Sequence, residues 1–270
     1  MTRPLIISCA LVGAELTREI YPPLPLTPTE IGIAAEETVK AGATIIHLHV
    51  RDKDGNPTQS LEVFREASEQ ILNRCDCILQ YSTGGAVGTP LAKRCEPLEL
   101  KPEMATLSMG TMNFGAEIYE NSEETITSIA SRIREHGIMP ELEIFDYGML
   151  ESVDRFLAGN IIPKYFHVDF VLGIPGGMAA TARNMVLLVD RLKENQSWSV
   201  AALGRYQLPL TTQAITMGGH IRVGIEDNIY YRRGELTTSN SQLVARMVRI
   251  AGELERPVAT LDEARGILGL

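Results

Sequence analysis

Short apolar runs rich in β-branched residues alternate along the chain with longer amphipathic stretches. The runs read as buried strands and the amphipathic stretches as helices. The first run, Leu5–Leu11, leads through Tyr21-Pro22-Pro23-Leu24-Pro25 to Thr27-Pro28-Thr29-Glu30. Those last four residues spell a helix start: a hydroxyl at the N-cap, proline at the first helical position and a glutamate three residues after the cap. The helix runs to Lys40 and stops near Gly42. Further strands are expected at Ala43–Asp52, Cys77–Ser82, Met104–Met109, Met139–Phe145, Tyr165–Leu172, Ser197–Ala202 and His220–Val223. Helices are expected up to about Asn73 and near Glu123–His136, Gly148–Ala158, Ala180–Lys193, Leu210–Met217 and Ser239–Leu254.

Eight strand–helix repeats in 270 residues fit a (β/α)₈ TIM barrel, one domain over residues 1–270. A doubly wound open α/β sheet is the alternative, because strand order is not written in a sequence. No G-x-G-x-x-G follows the first strand, which weakens a dinucleotide-binding version of it. No linker, composition shift or low-complexity tract marks a second domain.

Composition narrows the partners. Hydrophobic residues at 44% and charged residues at 22% are ordinary for a globular protein. A net charge of −9 argues against nucleic acid or an anionic membrane. Cys9, Cys75, Cys77 and Cys95 match neither a zinc knuckle nor a C-x-x-C redox motif, and read as reduced thiols of a cytoplasmic protein. The apolar run after Arg3 is too short for a secretory leader and reads as a first strand.

The candidate chemistry gathers at strand ends, where barrel enzymes place their active sites. The second strand carries His47 and His49, two positions apart and therefore on one face. Such a pair is either two hydrogen-bonded core histidines or two ligands for a metal such as zinc. After the eighth strand come Arg222, Glu226 and Asp227. In a closed barrel that strand neighbours the first, and the first neighbours the second. Glu226 can then serve as a third ligand, and two histidines with one carboxylate leave room for substrate. Arg222 can orient Asp227 as a base toward a carbon acid. The other reading of this loop is a solvated salt bridge. Glu141 and Glu143 share a face of the fifth strand, with Glu143 nearer the active end. Ser82-Thr83-Gly84-Gly85 offers hydroxyls and backbone N–H groups for a carboxylate or phosphate, or is a plain tight turn. Thr106 and Ser108 lie two positions apart on the fourth strand, where either hydroxyl can face the cavity, and Glu15 follows the first. No nucleophile elbow is present, and no lysine at a strand end suggests a Schiff-base aldolase.

These segments resemble the β-keto acid cleavage enzyme family. The likeness is carried by Gly13-Ala14-Glu15, Gly42-Ala43-Thr44-Ile45-Ile46-His47-Leu48-His49, Ser82-Thr83-Gly84-Gly85-Ala86-Val87-Gly88, Lys101–Leu107, Gly110–Gly115, Val171–Met178 and Gly218–Asn228. The resemblance implies a zinc-dependent barrel, usually a homotetramer, that takes a β-keto acid and acetyl-CoA to acetoacetate and a new acyl-CoA. It implies His47, His49 and Glu226 as zinc ligands, and Ser82, Gly85 and Thr106 at the substrate's carboxylate end. Arg222 and Asp227 match the proton-abstracting pair, and Glu143 another active-site carboxylate. Glu15 matches a position that faces the ammonium of an amino-bearing substrate, so 3-keto-5-aminohexanoate is a candidate beside other β-keto acids. Two readings compete with this one. A metal-dependent hydrolase on the same barrel would share the histidines but need no acetyl-CoA. A non-catalytic barrel could simply bind a small acid.

Overall fold

A computed structural model describes residues 3–270. Eight parallel strands close into a barrel in chain order. They are β1 (Ile7–Ala10), β2 (Ile45–Leu48), β3 (Ile78–Tyr81), β4 (Met104–Ser108), β5 (Met139–Ile144), β6 (His167–Leu172), β7 (Trp198–Ala202) and β8 (His220–Val223). Closure comes from β8 pairing with β1, with Arg222 opposite Ser8, while β1 pairs on its other side with β2. The expected fold is the observed one.

Helices follow each strand: α1 (Pro28–Lys40), α2 (Leu61–Leu72), α3 (Leu91–Cys95), α4 (Glu123–Glu135), α5 (Tyr147–Ala158), α6 (Ala182–Val189), α7 (Gln207–Thr216) and α8 (Asn240–Glu253). The capping box at Thr27 forms as its sequence demands, with Glu30 and Thr27 each bonding the other's backbone N–H. A ninth helix, α9 (Leu261–Leu268), was absent from the repeat pattern. It packs Ala264 and Leu268 against Ile6, Ile45, Ile78 and Met104, closing the N-terminal end of the barrel. Among the described residues, no helix is long and apolar enough to cross a membrane.

Strand alternation separates two interiors. Outward residues such as Ile46, Leu48, Leu142, Ile144, Phe170 and Val200 join the main core under the helices. Inward positions above the apolar plug are polar: His47, Gln80, Thr106, Glu141, Asp169 and Ser199 are all buried. A barrel filled with isoleucine needs no such residues. Burying this many polar groups costs stability unless they pair, so their presence points to a function at the upper end.

Candidate active site

His47 and His49 project from the end of β2 and its continuation, both buried. Their Nε2 atoms lie 3.6 and 3.7 Å from Oε1 of Glu226. One ligand atom from each of the three falls within 4.8 Å of the others, the spacing a shared metal ion requires. Two local features set this geometry. The Nδ1 atom of His47 is 2.7 Å from Oε1 of Gln80. Because that amide oxygen can only accept, Nδ1 carries the proton and Nε2 keeps its lone pair. Burial, reinforced by the charge of Arg222, pushes His47 down to about 3, so the imidazole is neutral, the form that ligates.

Glycine backbone makes room for the third ligand. Gly13 has φ +67°, and a Cβ there would sit 2.7 Å from Cγ of Glu226. Gly224, two residues before Glu226, has φ +141°, and its Cβ would meet the carbonyl oxygen of Ala10 at 2.2 Å. Only glycine lets the end of β8 lie this close to β1. Burial works to raise Glu226, but the Arg222 guanidinium and the two imidazoles outweigh it and hold the carboxyl at about 2. Its Oε2 is buried without a hydrogen-bond partner. An ionised carboxylate with an orphaned oxygen beside two neutral imidazoles fits a metal ion.

Next to the triad stands a charge network. Arg222 donates from Nε to Oδ2 of Asp227 at 3.0 Å and from Nη2 to Oδ1 at 2.8 Å, a bidentate grip. The same Nη2 bonds Oε1 of Glu226, and Nη1 lies 3.6 Å from Oε1 of Glu143. Burial raises Asp227 to about 7 against the pull of Arg222, with the Glu226 charge adding to the rise. Burial likewise raises Glu143 to about 7. Oε2 of Glu143 accepts from the Ser108 hydroxyl at 2.7 Å, and that hydroxyl is 3.0 Å from Tyr119 Oη.

One pocket at the C-terminal mouth unites these groups. Glu15, Ser82, Gly85, His49, Glu143, Arg222, Glu226 and Asp227 all line it. Glu15 is exposed at the rim. Thr106 is placed differently: it is fully buried and does not line the pocket. Its Oγ1 accepts the Thr83 N–H at 3.1 Å, so it braces the 82–85 turn from below.

Several contributing residues were not singled out from the sequence. Gln80 is one, although a lone amide amid Cys77–Ser82 is a readable sign of an inward polar position. Arg51 is another: it continues the His47, His49 face and donates to the carbonyls of Gly13 and Leu16, tying down the loop that carries Glu15. Tyr119 reaches the pocket from a hairpin of Met112–Phe114 and Glu117–Tyr119, and nothing local in the sequence marks it.

Residues 4–270 match the beta-keto acid cleavage enzyme family. The chain is 50% identical over 272 residues to the 3-keto-5-aminohexanoate cleavage enzyme of Fusobacterium nucleatum, covering 100% of this chain and 99% of that one. It is 46% identical to the enzyme of the same name from Acetoanaerobium sticklandii, with 98% of each covered. Identity to the 3-oxoadipate:acetyl-CoA acetyltransferase of Cupriavidus necator is 34%, over 100% of this chain and 96% of that one. Among solved structures, a ternary complex of ObcA with a C4-CoA adduct and oxalate superposes with a TM-score of 0.80 at 20% identity, covering 92% of this chain and 68% of that one. That likeness concerns the fold.

Proposed function

Because the chain belongs to the beta-keto acid cleavage enzyme family, we propose that it converts a β-keto acid and acetyl-CoA into acetoacetate and a new acyl-CoA. The route is Claisen condensation, transfer of CoA to the original acyl group and retro-Claisen release of acetoacetate. The observation that carries this reading is the adjacency of Glu226 and Asp227, one facing the two histidines and the other gripped by Arg222.

Zinc is the metal proposed for His47, His49 and Glu226; when bound it would supply a Lewis acid that polarises the β-ketone and acidifies the neighbouring methylene. Asp227 takes the methylene proton. Its pKa near 7 suits a base that must also return a proton at neutral pH. Arg222 fixes the direction of that carboxylate and balances the negative charge that develops beside it. Ser82 and the backbone around Gly85 receive the substrate's carboxylate, and Thr106 supports their turn. Glu143, held by Ser108 and lining the same pocket, supplies a second carboxyl with a pKa near 7 to exchange a proton with the substrate.

The substrate proposed is 3-keto-5-aminohexanoate. Two relatives sharing about half their residues with this chain carry that substrate in their names, and Glu15 puts a carboxylate at the rim for its ammonium. The test offers zinc-loaded enzyme, with acetyl-CoA, keto acids bearing cationic, neutral and anionic tails. The cationic tail should be preferred, and Glu15→Ala should reduce that preference by roughly tenfold, the worth of one charge-assisted contact. Cleavage that proceeds equally well without acetyl-CoA would replace this reading with the hydrolase. An unchanged preference in Glu15→Ala would remove Glu15 from substrate choice.

A further inference from the structure

Charge is divided unevenly around the pocket mouth. On the β1 and β2 side, Glu15, Glu19, Asp52 and Asp54 outnumber Arg18 and Lys53. On the β7 and β8 side the balance reverses. Arg205 follows Leu203, itself part of the pocket wall, and is exposed. A hairpin formed by Tyr230–Arg232 and Glu235–Leu236 packs beside that turn and exposes Arg232 and Arg233. Glu235, paired with Arg232 at 2.6 Å, is the acid of this patch. Among the described residues, Arg205 and Arg233 have no carboxylate within salt-bridge distance.

This side is built rather than incidental. The Gly204 N–H donates to the carbonyl of Asp227 at 2.7 Å, joining the Arg205 turn to the loop that carries the base. The hairpin is held at its root: Arg246 stacks 3.4 Å from the centre of the Tyr231 ring, and Arg249 donates to Tyr231 Oη at 3.2 Å. Arg205 itself lies over the ring of Tyr206. A chain of net charge −9 repels a polyanion unless some surface reverses the sign locally. Guanidinium groups on a fixed hairpin suit phosphate oxygens better than any other side chain.

We propose that Arg205, Arg232 and Arg233 bind the phosphates of coenzyme A, outside the pocket that holds the thioester. This rests on the acetyl-CoA-dependent reading above. The two substrates then approach over neighbouring arcs of the mouth, which meet where β8 pairs with β1: the keto acid's cationic tail against Glu15, and the nucleotide against the arginines.

The test uses the full-length protein carrying Arg205→Glu and Arg233→Glu together. Lys164→Glu, on an exposed loop at the opposite end of the barrel, controls for added negative charge away from the mouth. Acetyl-CoA is compared with acetyl-pantetheine, which keeps the thioester but lacks the nucleotide, and 3′,5′-ADP binding is measured by calorimetry. The double variant should lower the preference for acetyl-CoA over acetyl-pantetheine by roughly tenfold or more, and should lose 3′,5′-ADP binding that Lys164→Glu retains. A preference kept within about twofold, or an equal loss with both thioesters, overturns the assignment. If the native enzyme ignores acetyl-CoA, the proposed reaction fails; 3′,5′-ADP binding abolished by the double variant would still establish a nucleotide-phosphate site. Native protein that binds no 3′,5′-ADP would overturn that site as well.

Discussion

The bond from His47 Nδ1 to Gln80 decides which nitrogen faces the metal site. Replacing Gln80 with leucine removes the acceptor and leaves a buried N–H unpaired, so the ring is free to turn or change tautomer. Partners of this kind are worth about 10- to 100-fold in metal affinity. Gln80→Leu is expected to bind zinc more weakly by that factor in a chelator competition on folded protein, while Gln80→Glu, which keeps an acceptor oxygen, stays close to native. Equal affinity in Gln80→Leu would show that β2 alone fixes the ring. At this scale the convergence of His47, His49 and Glu226 and the Arg222–Asp227 pair were legible in the sequence, because period-two alternation assigns His47 and His49 to one face and a closed barrel brings the loop after the eighth strand beside them. The partners that orient them were less so. A glutamine in an apolar strand looks the same whether it serves a ligand or a core amide.

Among the elements, the eight barrel strands and seven of the helices follow from hydrophobic periodicity and capping chemistry; α3, five residues at Leu91–Cys95, is too short to show a period and was not expected. The expected extents drift by a few residues, as for Ala180–Lys193 against the observed α6, because frayed helix ends leave little trace in periodicity. The ninth helix is a different case. Its Thr260–Glu263 capping box is readable, but a count of eight repeats is complete without it. Its role is tertiary: Leu268 seals the barrel floor, 4% exposed. Leu268→Ala should cost about 2–4 kcal/mol in a urea titration by opening a cavity there, and should leave zinc affinity untouched, since the site lies at the other end. A loss of zinc affinity with no change in stability would contradict that division of the barrel.

Across the whole molecule, the polar barrel interior links stability to pH. His167 is buried and held neutral: Nε2 meets Ser199 at 2.9 Å, Nδ1 meets Ser197 at 2.8 Å, and Ser199 in turn donates to Asp169. Burial drives its pKa from an ordinary 6.5 to about 3, and burial lowers His220 as well. Above pH 7 neither folded nor unfolded chain protonates these rings. As pH falls below 6.5 the unfolded chain takes up protons that the folded one refuses, so stability is lost toward pH 3. His167 alone should account for about 3 kcal/mol between pH 7.5 and pH 4. Denaturant unfolding at the two pH values reads this, and His167→Gln should flatten the acid limb by that amount; an unchanged slope would assign the loss elsewhere.

The overall architecture was legible because every repeat presents the same pattern. The uneven charge of the mouth was not, since Glu15 and Arg233 meet around one opening only once the barrel closes. What joins these scales is the claim that acetyl-CoA is a reactant whose acetyl carbons enter the product. Acetyl-CoA labelled with carbon-13 at its carbonyl, incubated with 3-keto-5-aminohexanoate and zinc-loaded enzyme, tests this in one NMR spectrum. Label is expected at the ketone carbon of acetoacetate, with unlabelled 3-aminobutyryl-CoA, and none of either product from Asp227→Asn. Unlabelled cleavage products beside intact labelled acetyl-CoA would contradict it.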